Sequence, residues 1–161
     1  MTKVIFEYLR SLNIFAEDFL EYLSTFRFTG DIYAIPEGTV VFPRESLIKV
    51  IAPIMQAQLV ETALLTIINH QSLIATKTER IVHAAKGDGV MEFGLRRAQG
   101  ADAGTYGARA AMIAGCIGTS NVLCGKMFDV PVKGTHVTQL IMSFPDELTA
   151  FRTYCKAVPI C

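Results

Sequence analysis

The sequence lacks a net charge, because fifteen Lys and Arg residues balance fifteen Asp and Glu residues. Without surplus positive charge the chain has no electrostatic footprint for duplex nucleic acid or an anionic membrane, so any anion must be recognised locally. Apolar runs of membrane-spanning length are also absent. The nearest candidate, residues 63–74, is interrupted by the polar stretch 69–72. We therefore expect this segment to be a buried helix.

A secretion signal is missing too, since no apolar core with a small-residue cleavage site follows the first Met. We expect a cytoplasmic protein. The four cysteines lack metal-ligand spacing and the three histidines lie far apart, so we expect reduced, mostly buried thiols and no structural zinc site. These residues are Cys116, Cys124, Cys155, Cys161, His70, His83 and His136.

Two common catalytic motifs are absent. Lys126 is too far from Gly118 for a phosphate-binding Walker loop, and no Gly-Lys-Ser or Gly-Lys-Thr occurs. Ser143 has no nucleophile-elbow context and no evident base nearby in sequence. The sequence therefore does not support a P-loop NTPase or a serine hydrolase.

The first half of the chain predicts a partial α/β domain. Apolar residues at helical spacing predict a helix over residues 16–25. Three short apolar runs separated by turn residues, at 32–35, 40–42 and 47–51, predict an antiparallel three-stranded meander. Residues 54–85 contain neither Gly nor Pro and predict one long helix or two in succession. The Gly-Asp-Gly stretch at 87–89 ends this region, so we place a domain boundary there, between 1–87 and 88–161.

The second half predicts the start of a parallel α/β unit. Strands are expected at 90–93 and 130–133, with helices over 104–116 and 121–128 between them and a further helix starting near Pro145. Two parallel strands bury too little surface to be stable alone. We therefore expect the chain to be a piece of a larger protein.

Each predicted strand of the second half leads into a polar loop. Chemistry in parallel α/β proteins lies at the carboxyl ends of strands, so the two loops indicate one shared site. The first loop carries Arg96 and Arg97, which we expect to point to opposite sides, as neighbours do at a strand end. An Arg there can grip a carboxylate or phosphate with two parallel hydrogen bonds. The alternative is a salt bridge to Asp102 or Glu92.

Two further segments are candidates for anion binding. Gly118 begins a turn between the two helices, and Thr119, Ser120 and Asn121 offer hydroxyls and a helix amino terminus, although a plain helix cap is the alternative.

The second strand is followed by Gly134, Thr135 and His136, which offer backbone donors, a hydroxyl and an imidazole. A structural role for the lone histidine is the alternative to a catalytic one.

Five motifs, in a fixed order along essentially the whole chain, resemble nicotinate phosphoribosyltransferase. They are AQLVETALL at 57–65, NHQSLIATK at 69–77, EFGLRRAQG at 92–100, GTSNVL at 118–123 and VKGT at 132–135.

The resemblance implies an α/β domain joined to an incomplete barrel of the type II phosphoribosyltransferases, commonly as a homodimer. It implies salvage of nicotinate into NAD, in which nicotinate and 5-phosphoribosyl 1-diphosphate give nicotinate mononucleotide and diphosphate. ATP hydrolysis is coupled through a phosphohistidine, and Mg²⁺ assists the diphosphate. No bound organic cofactor is implied.

The resemblance also implies roles for single residues. Leu95 and Arg96 match the nicotinate-facing strand end, with Arg97 beside them, and Gly134 and Thr135 match the loop that approaches the ribosyl phosphate. The family loop reads Gly-Thr-x-Ala-His, and its last residue is the phosphorylated histidine.

This chain has Thr138 at the position of the phosphohistidine and a histidine, His136, two residues earlier. Strand-like alternation would place these two side chains on the same side with their Cα atoms about 6–7 Å apart, so His136 is not expected to replace the phosphohistidine.

Three functions stay open. In the first, the chain is part of an authentic nicotinate phosphoribosyltransferase and is inactive alone. In the second, it is a degenerate non-catalytic remnant or interaction module of the family, as Thr138 would allow. The third is a sister enzyme acting on quinolinate or nicotinamide.

Overall fold

The computed structural model describes residues 3–135 and 138–157. The chain divides into two compact units, Met1–Thr66 and Ile67–Cys161, and the division falls inside the longest helix. That helix ends at Ala84, and the domain boundary expected near residue 87 stays a prediction.

The first unit opens with two short helices, α1 (Lys3–Ser11) and α2 (Glu17–Ser24). Helix α2 confirms the helix predicted at 16–25, and it buries Leu20 and Leu23, which lie three residues apart on one face. Helix α1 was not predicted, although Val4, Ile5 and Tyr8 have helical spacing.

Two strands follow, β1 (Asp31–Ala34) and β2 (Ile48–Ile51), and they pair directly as an antiparallel hairpin. The predicted middle strand at 40–42 is wrong: Val40 is 81 % exposed and Phe42 is 71 % exposed, and neither is in a strand. The connection is bent on both sides of this segment, by turns over 36–39 and 42–45, which prevent it from extending along either strand. The meander is therefore a two-stranded hairpin with a long connection.

Helix α3 (Ile54–Ala84) is a single 31-residue helix. Of the two alternatives predicted for residues 54–85, one long helix is therefore confirmed. Just beyond it Gly87 has a left-handed φ of 99°, which a glycine adopts readily. The expectation that 63–74 would be buried is wrong, because Leu65, Ile67 and Leu73 are more than half exposed. No helix in the described part of the chain is long and apolar enough to cross a membrane.

The second unit contains β3 (Met91–Glu92), α4 (Ala101–Ile113), β4 (Gly118–Thr119), α5 (Val122–Phe128), α6 (Thr138–Met142) and α7 (Glu147–Ala157). Helices α4, α5 and α7 confirm three predicted helices, whereas the short α6 was not predicted. A 3-10 turn, Leu95–Arg97, lies between β3 and α4.

The parallel sheet of this unit has three members, not the two expected. Strand β4 pairs in parallel with β3, and Thr119 of β4 also forms a parallel bridge with Val132. The glycine turn predicted to begin at Gly118 is wrong, because Gly118 and Thr119 are the middle strand, whereas the helix cap expected in the same segment is confirmed at Asn121. A strand of two residues is too short to show alternation in sequence. Glycine is favoured there, since a Cβ at Gly118 would lie 3.2 Å from the carbonyl oxygen of Pro131, which is a tight contact.

Small side chains let the helices pack closely against this sheet. Helix α4 buries Ala108, Ala110 and Ala111. Where α5 passes the third sheet segment, a Cβ on Gly125 would overlap Cγ2 of Val132. The core of this unit is therefore built from close backbone approach rather than from large apolar side chains.

The expected reduced, buried thiols are found at Cys116 and Cys124, while Cys155 is free but exposed and Cys161 lies outside the described residues. Burial, assisted by the charge of Glu92, raises the pKa of both buried thiols. These two cysteines therefore remain protonated core residues.

A buried hydrogen-bond network ties the sheet to the helices. Thr119 is fully buried, and its Oγ1 accepts from the backbone N–H of Asn121 at 3.0 Å and donates to Oε2 of Glu92 at 2.6 Å. Asn121 is 3 % exposed; its Oδ1 caps α5 by accepting from the N–H of Cys124, and its Nδ2 donates to Thr105 of α4. One polar chain thus links β3, β4, α4 and α5.

We expect Asn121→Ala to lower the free energy of unfolding by about 1–2 kcal/mol, because the N–H of Cys124 loses its capping acceptor and Oγ1 of Thr105 loses a donor. Urea unfolding of the 161-residue chain measures this. Asn69→Ala, on an exposed position of α3, is the matched control and should change stability by less than about 0.5 kcal/mol. Equal midpoints for the two variants would contradict the role of the network.

We expect Gly125→Ala to destabilise the chain by about 1–3 kcal/mol despite the better helix propensity of Ala, because the new methyl group overlaps Val132. In a Val132→Ala background the same change should be neutral or stabilising, since the overlapping Cγ2 atom is gone. A double-mutant cycle by urea unfolding tests this coupling. Additive effects would show that the close approach of α5 and Val132 is not the cause.

Candidate functional site

Three parallel segments end side by side at one edge of the sheet of the second unit. The 3-10 turn Leu95–Arg97 follows β3, Ser120 follows β4, and residues 133–135 follow the bridge at Val132. Neighbouring strands lie about 4.8 Å apart, so the first and third loops are separated by roughly 10 Å with the second between them. The structure thus brings both predicted loops to the same edge and adds a third between them.

Arg96 and Arg97 lie in the 3-10 turn rather than in an extended strand end, which corrects the expectation that they point to opposite sides. Gly94 has helical dihedral angles and its carbonyl accepts from the N–H of Arg97 at 2.8 Å, so the chain turns directly after β3. Successive residues of such a turn project about 120° apart.

Both arginines are exposed. Within residues 3–135 and 138–157 neither forms an ion pair, so the alternative salt bridges to Asp102 or Glu92 are not found there. The guanidinium groups are available to an anion.

Leu95 anchors this turn to α4. Its Cδ1 lies 2.5 Å from the place that a Cβ on Gly104 would take, so Gly104 provides the space in which Leu95 packs. Leu95 still exposes 42 % of its surface. It can therefore hold the turn and present an apolar face beside Arg96.

Glu92 is a site residue that the sequence analysis considered only as a partner of arginine. One carboxylate oxygen accepts from the N–H of Gly94 and the other from the hydroxyl of Thr119, while the backbone carbonyl accepts from the N–H of Ser120. The signal available in the sequence was a carboxylate at a strand end, two residues before a glycine. Its contacts became visible only with β4 in place.

The three anion-binding candidates after β4 have different surroundings. The polar atoms of Thr119 and Asn121 are used inside the fold, and Asn121 is the plain helix cap that the alternative described. Ser120 is exposed at the strand end. Anion binding by this segment stays a prediction, and Ser120 is its accessible member.

The third loop is open. Gly134 and Thr135 are exposed. Apart from the two chain neighbours of Gly134, no atom of the described residues lies within 4 Å of the place that a Cβ on Gly134 would take.

His136 lies outside the described residues, as does the side chain of Thr138. The backbone of Thr138 begins α6, so the extended alternation expected around it does not hold there.

The resemblance implies Mg²⁺, but the residues described here do not fit a protein-held metal site. Within 3–135 and 138–157 no three His, Cys, Asp or Glu side chains come together. Both carboxylate oxygens of Glu92 already accept hydrogen bonds. We therefore assign no metal ligand and no metal-dependent step to this chain.

Comparison with known proteins supports the resemblance. The family model described as nicotinate phosphoribosyltransferase (NAPRTase) N-terminal domain matches residues 1–69. A nicotinate phosphoribosyltransferase of Mycobacterium tuberculosis is 45 % identical over 152 residues, which cover 94 % of this chain and 33 % of the relative. That of Bacillus subtilis is 47 % identical over 154 residues, which cover 96 % of this chain and 31 % of the relative.

The structural comparison agrees with the sequence comparison. The crystal structure of human nicotinic acid phosphoribosyltransferase superimposes with a TM-score of 0.81 at 33 % identity, covering 89 % of this chain and 30 % of that one. The chain spans about a third of the length of the curated relatives it matches. It belongs to the nicotinate phosphoribosyltransferase family.

Proposed function

We propose that this chain supplies the substrate-facing strand-end loops of a nicotinate phosphoribosyltransferase. The reaction joins nicotinate to 5-phosphoribosyl 1-diphosphate, gives nicotinate mononucleotide and diphosphate, is coupled to ATP hydrolysis, and serves NAD biosynthesis in the cytoplasm. One observation carries the proposal: an arginine with no ion pair in the described part of the chain and an exposed glycine loop follow the two outer segments of one parallel sheet, on the same edge.

The first loop suits the pyridine carboxylate. Arg96 is exposed, forms no ion pair within the described ranges, and carries a planar fork that matches a carboxylate with two hydrogen bonds. Leu95 next to it offers a half-exposed apolar surface for the flat face of an aromatic ring. Arg97 adds a second positive charge to the same turn, which favours an anionic substrate over a neutral one.

The third loop suits the phosphoribosyl group. The open backbone of Gly134 allows a phosphate to approach closely, and Thr135 adds a backbone N–H and a hydroxyl. Ser120 lies on the middle strand end between the two loops. Nicotinate at the first loop and the ribosyl phosphate at the third would meet across a gap of roughly 10 Å, two strand spacings.

Complete catalysis requires more than these loops. The chain spans about a third of its relatives, and we infer that the remaining barrel and a second subunit complete the site. Two-residue strands cannot enclose a substrate by themselves. The 161-residue chain alone is therefore expected to be inactive.

A second function is favoured by one residue. Thr138 stands where the family loop carries its phosphohistidine, and a threonine hydroxyl does not replace an imidazole as phosphate acceptor in this reaction. The chain would then be a non-catalytic remnant or interaction module that has kept the substrate loops. ATP coupling is the property that separates the two functions.

The first test uses a chimera in which this chain replaces the matched third of the Bacillus subtilis relative. We expect it to form nicotinate mononucleotide, and the isolated chain not to. Arg96→Ala in the chimera should lower kcat/KM by about 10–100-fold, the loss expected for a charge-assisted contact of about 1.5–3 kcal/mol. Arg80→Ala, at an exposed position of α3, is the control. Unchanged turnover in the Arg96 variant would contradict a role in nicotinate recognition.

The second test addresses ATP coupling in the same chimera. We expect Thr138→His to raise ATP-dependent turnover, because it restores the imidazole that the family loop uses as phosphate acceptor. Incorporation of labelled γ-phosphate from ATP measures the acceptor directly, and Thr138→Gln controls for side-chain size. Labelling and turnover that stay unchanged would show that position 138 is not the missing acceptor.

A further inference from the structure

We propose that Glu92 is a positioning residue that sets the turn presenting Arg96 and couples it to the neighbouring loop after β4. This inference rests on the proposed function, since it concerns how the nicotinate-facing arginine is held. No role beyond an ion pair with arginine follows from the sequence at this position.

Glu92 forms hydrogen bonds with residues at the ends of both β3 and β4. One carboxylate oxygen accepts from the N–H of Gly94, the first residue of the Arg96 turn, and the other accepts from Thr119 Oγ1 at 2.6 Å. The backbone carbonyl of Glu92 accepts from Ser120 at 3.1 Å. A single residue therefore joins the loops that follow β3 and β4.

Gly94 is shaped for this contact. A Cβ on Gly94 would lie 2.8 Å from Oε1 of Glu92, inside van der Waals distance. The dihedral angles of Gly94, φ −82° and ψ −9°, are open to any residue. Glycine at this position thus leaves room for the carboxylate, which an added methyl group would displace from its present place.

Arg96 lies between two anchors of its turn. The carboxylate of Glu92 holds the turn at Gly94, and the packing of Leu95 against Gly104 holds it on α4. The guanidinium itself has no partner among the residues the structure describes. The direction in which Arg96 leaves the backbone is therefore set by its neighbours and not by a contact of its own.

The other side of Glu92 is rigid. Thr119 is 0 % exposed and its hydroxyl is oriented, because Oγ1 accepts from the N–H of Asn121 and so directs its own proton to Glu92. Buried hydrogen-bond chains of this kind specify one geometry. Through Glu92, the turn that carries Arg96 is therefore held in a defined position relative to β4.

The test uses two measurements. Amide hydrogen exchange on the 161-residue chain gives the protection factor at position 94. Calorimetry on the chimera with the Bacillus subtilis relative, with nicotinate as the probe, gives a dissociation constant. The variants are Glu92→Ala, Glu92→Gln, Gly94→Ala, Arg96→Ala and the double variant of Glu92→Ala with Arg96→Ala. Glu79→Ala, at an exposed position of α3, is the control for loss of a carboxylate.

We expect Glu92→Ala and Gly94→Ala to lower the protection factor at position 94 about tenfold, the loss of one hydrogen bond to a charged group. Glu92→Gln should lower it less, because its amide oxygen still accepts from Gly94. Nicotinate binding should weaken about tenfold in Glu92→Ala and in Arg96→Ala, and the double variant should be no weaker than Arg96→Ala alone. That non-additivity distinguishes positioning of Arg96 from a general structural role.

Two results would overturn the inference. Protection at position 94 that is unchanged in Glu92→Ala shows that the carboxylate does not hold the turn, whether or not nicotinate binds. Losses in binding that multiply in the double variant show that Glu92 acts independently of Arg96. If Arg96→Ala leaves nicotinate binding unchanged, the proposed function fails at Arg96, while the exchange measurement still decides whether Glu92 orders the turn.

Discussion

The second unit depends on the parallel pairing of Gly118 and Thr119 with β3 and of Thr119 with Val132 on the other side. Strand β4 is only two residues long, so its backbone hydrogen bonds alone would hold it weakly. The strand is further stabilised by the burial of Thr119. The hydroxyl of Thr119 also donates a hydrogen bond to Glu92 and accepts one from the N–H of Asn121. Both outer segments pair in parallel with β4. The pairing with β4 therefore determines that all three loops leave the sheet at the same edge.

Close packing makes this arrangement possible. A side chain at Gly118 or Gly125 would press against the segment 130–132, and large side chains on the buried face of α4 would push the helix from the sheet. Small residues therefore bring backbone elements together, and the polar network fixes their register. The loops at the sheet edge remain exposed, which leaves Arg96 and Gly134 available to ligands.

The candidate site was predictable in part. Arg96, Gly134 and Thr135 are visible in the sequence because they directly follow apolar runs, and parallel topology places such positions on one edge. Glu92 was not recognised as a link between loops, because its partner Thr119 belongs to a strand too short to give a periodic signal. The 3-10 turn was missed for a similar reason: its geometry follows from contacts at Gly94 and Gly104 and not from local propensity.

The sequence by itself determined that residues 54–84 are helical, because they contain neither Gly nor Pro, but it left one helix or two open. It also determined the family through its ordered motifs. Helices α2, α4, α5 and α7 were also predicted from the local sequence, and Asn121 caps α5. Tertiary structure alone decided the pairing of the strands. It left residues 40–42 without a partner and made Gly118–Thr119 the centre of a sheet. The physical reason is that a helix satisfies its backbone hydrogen bonds within itself, whereas a strand exists only where distant segments supply its partners.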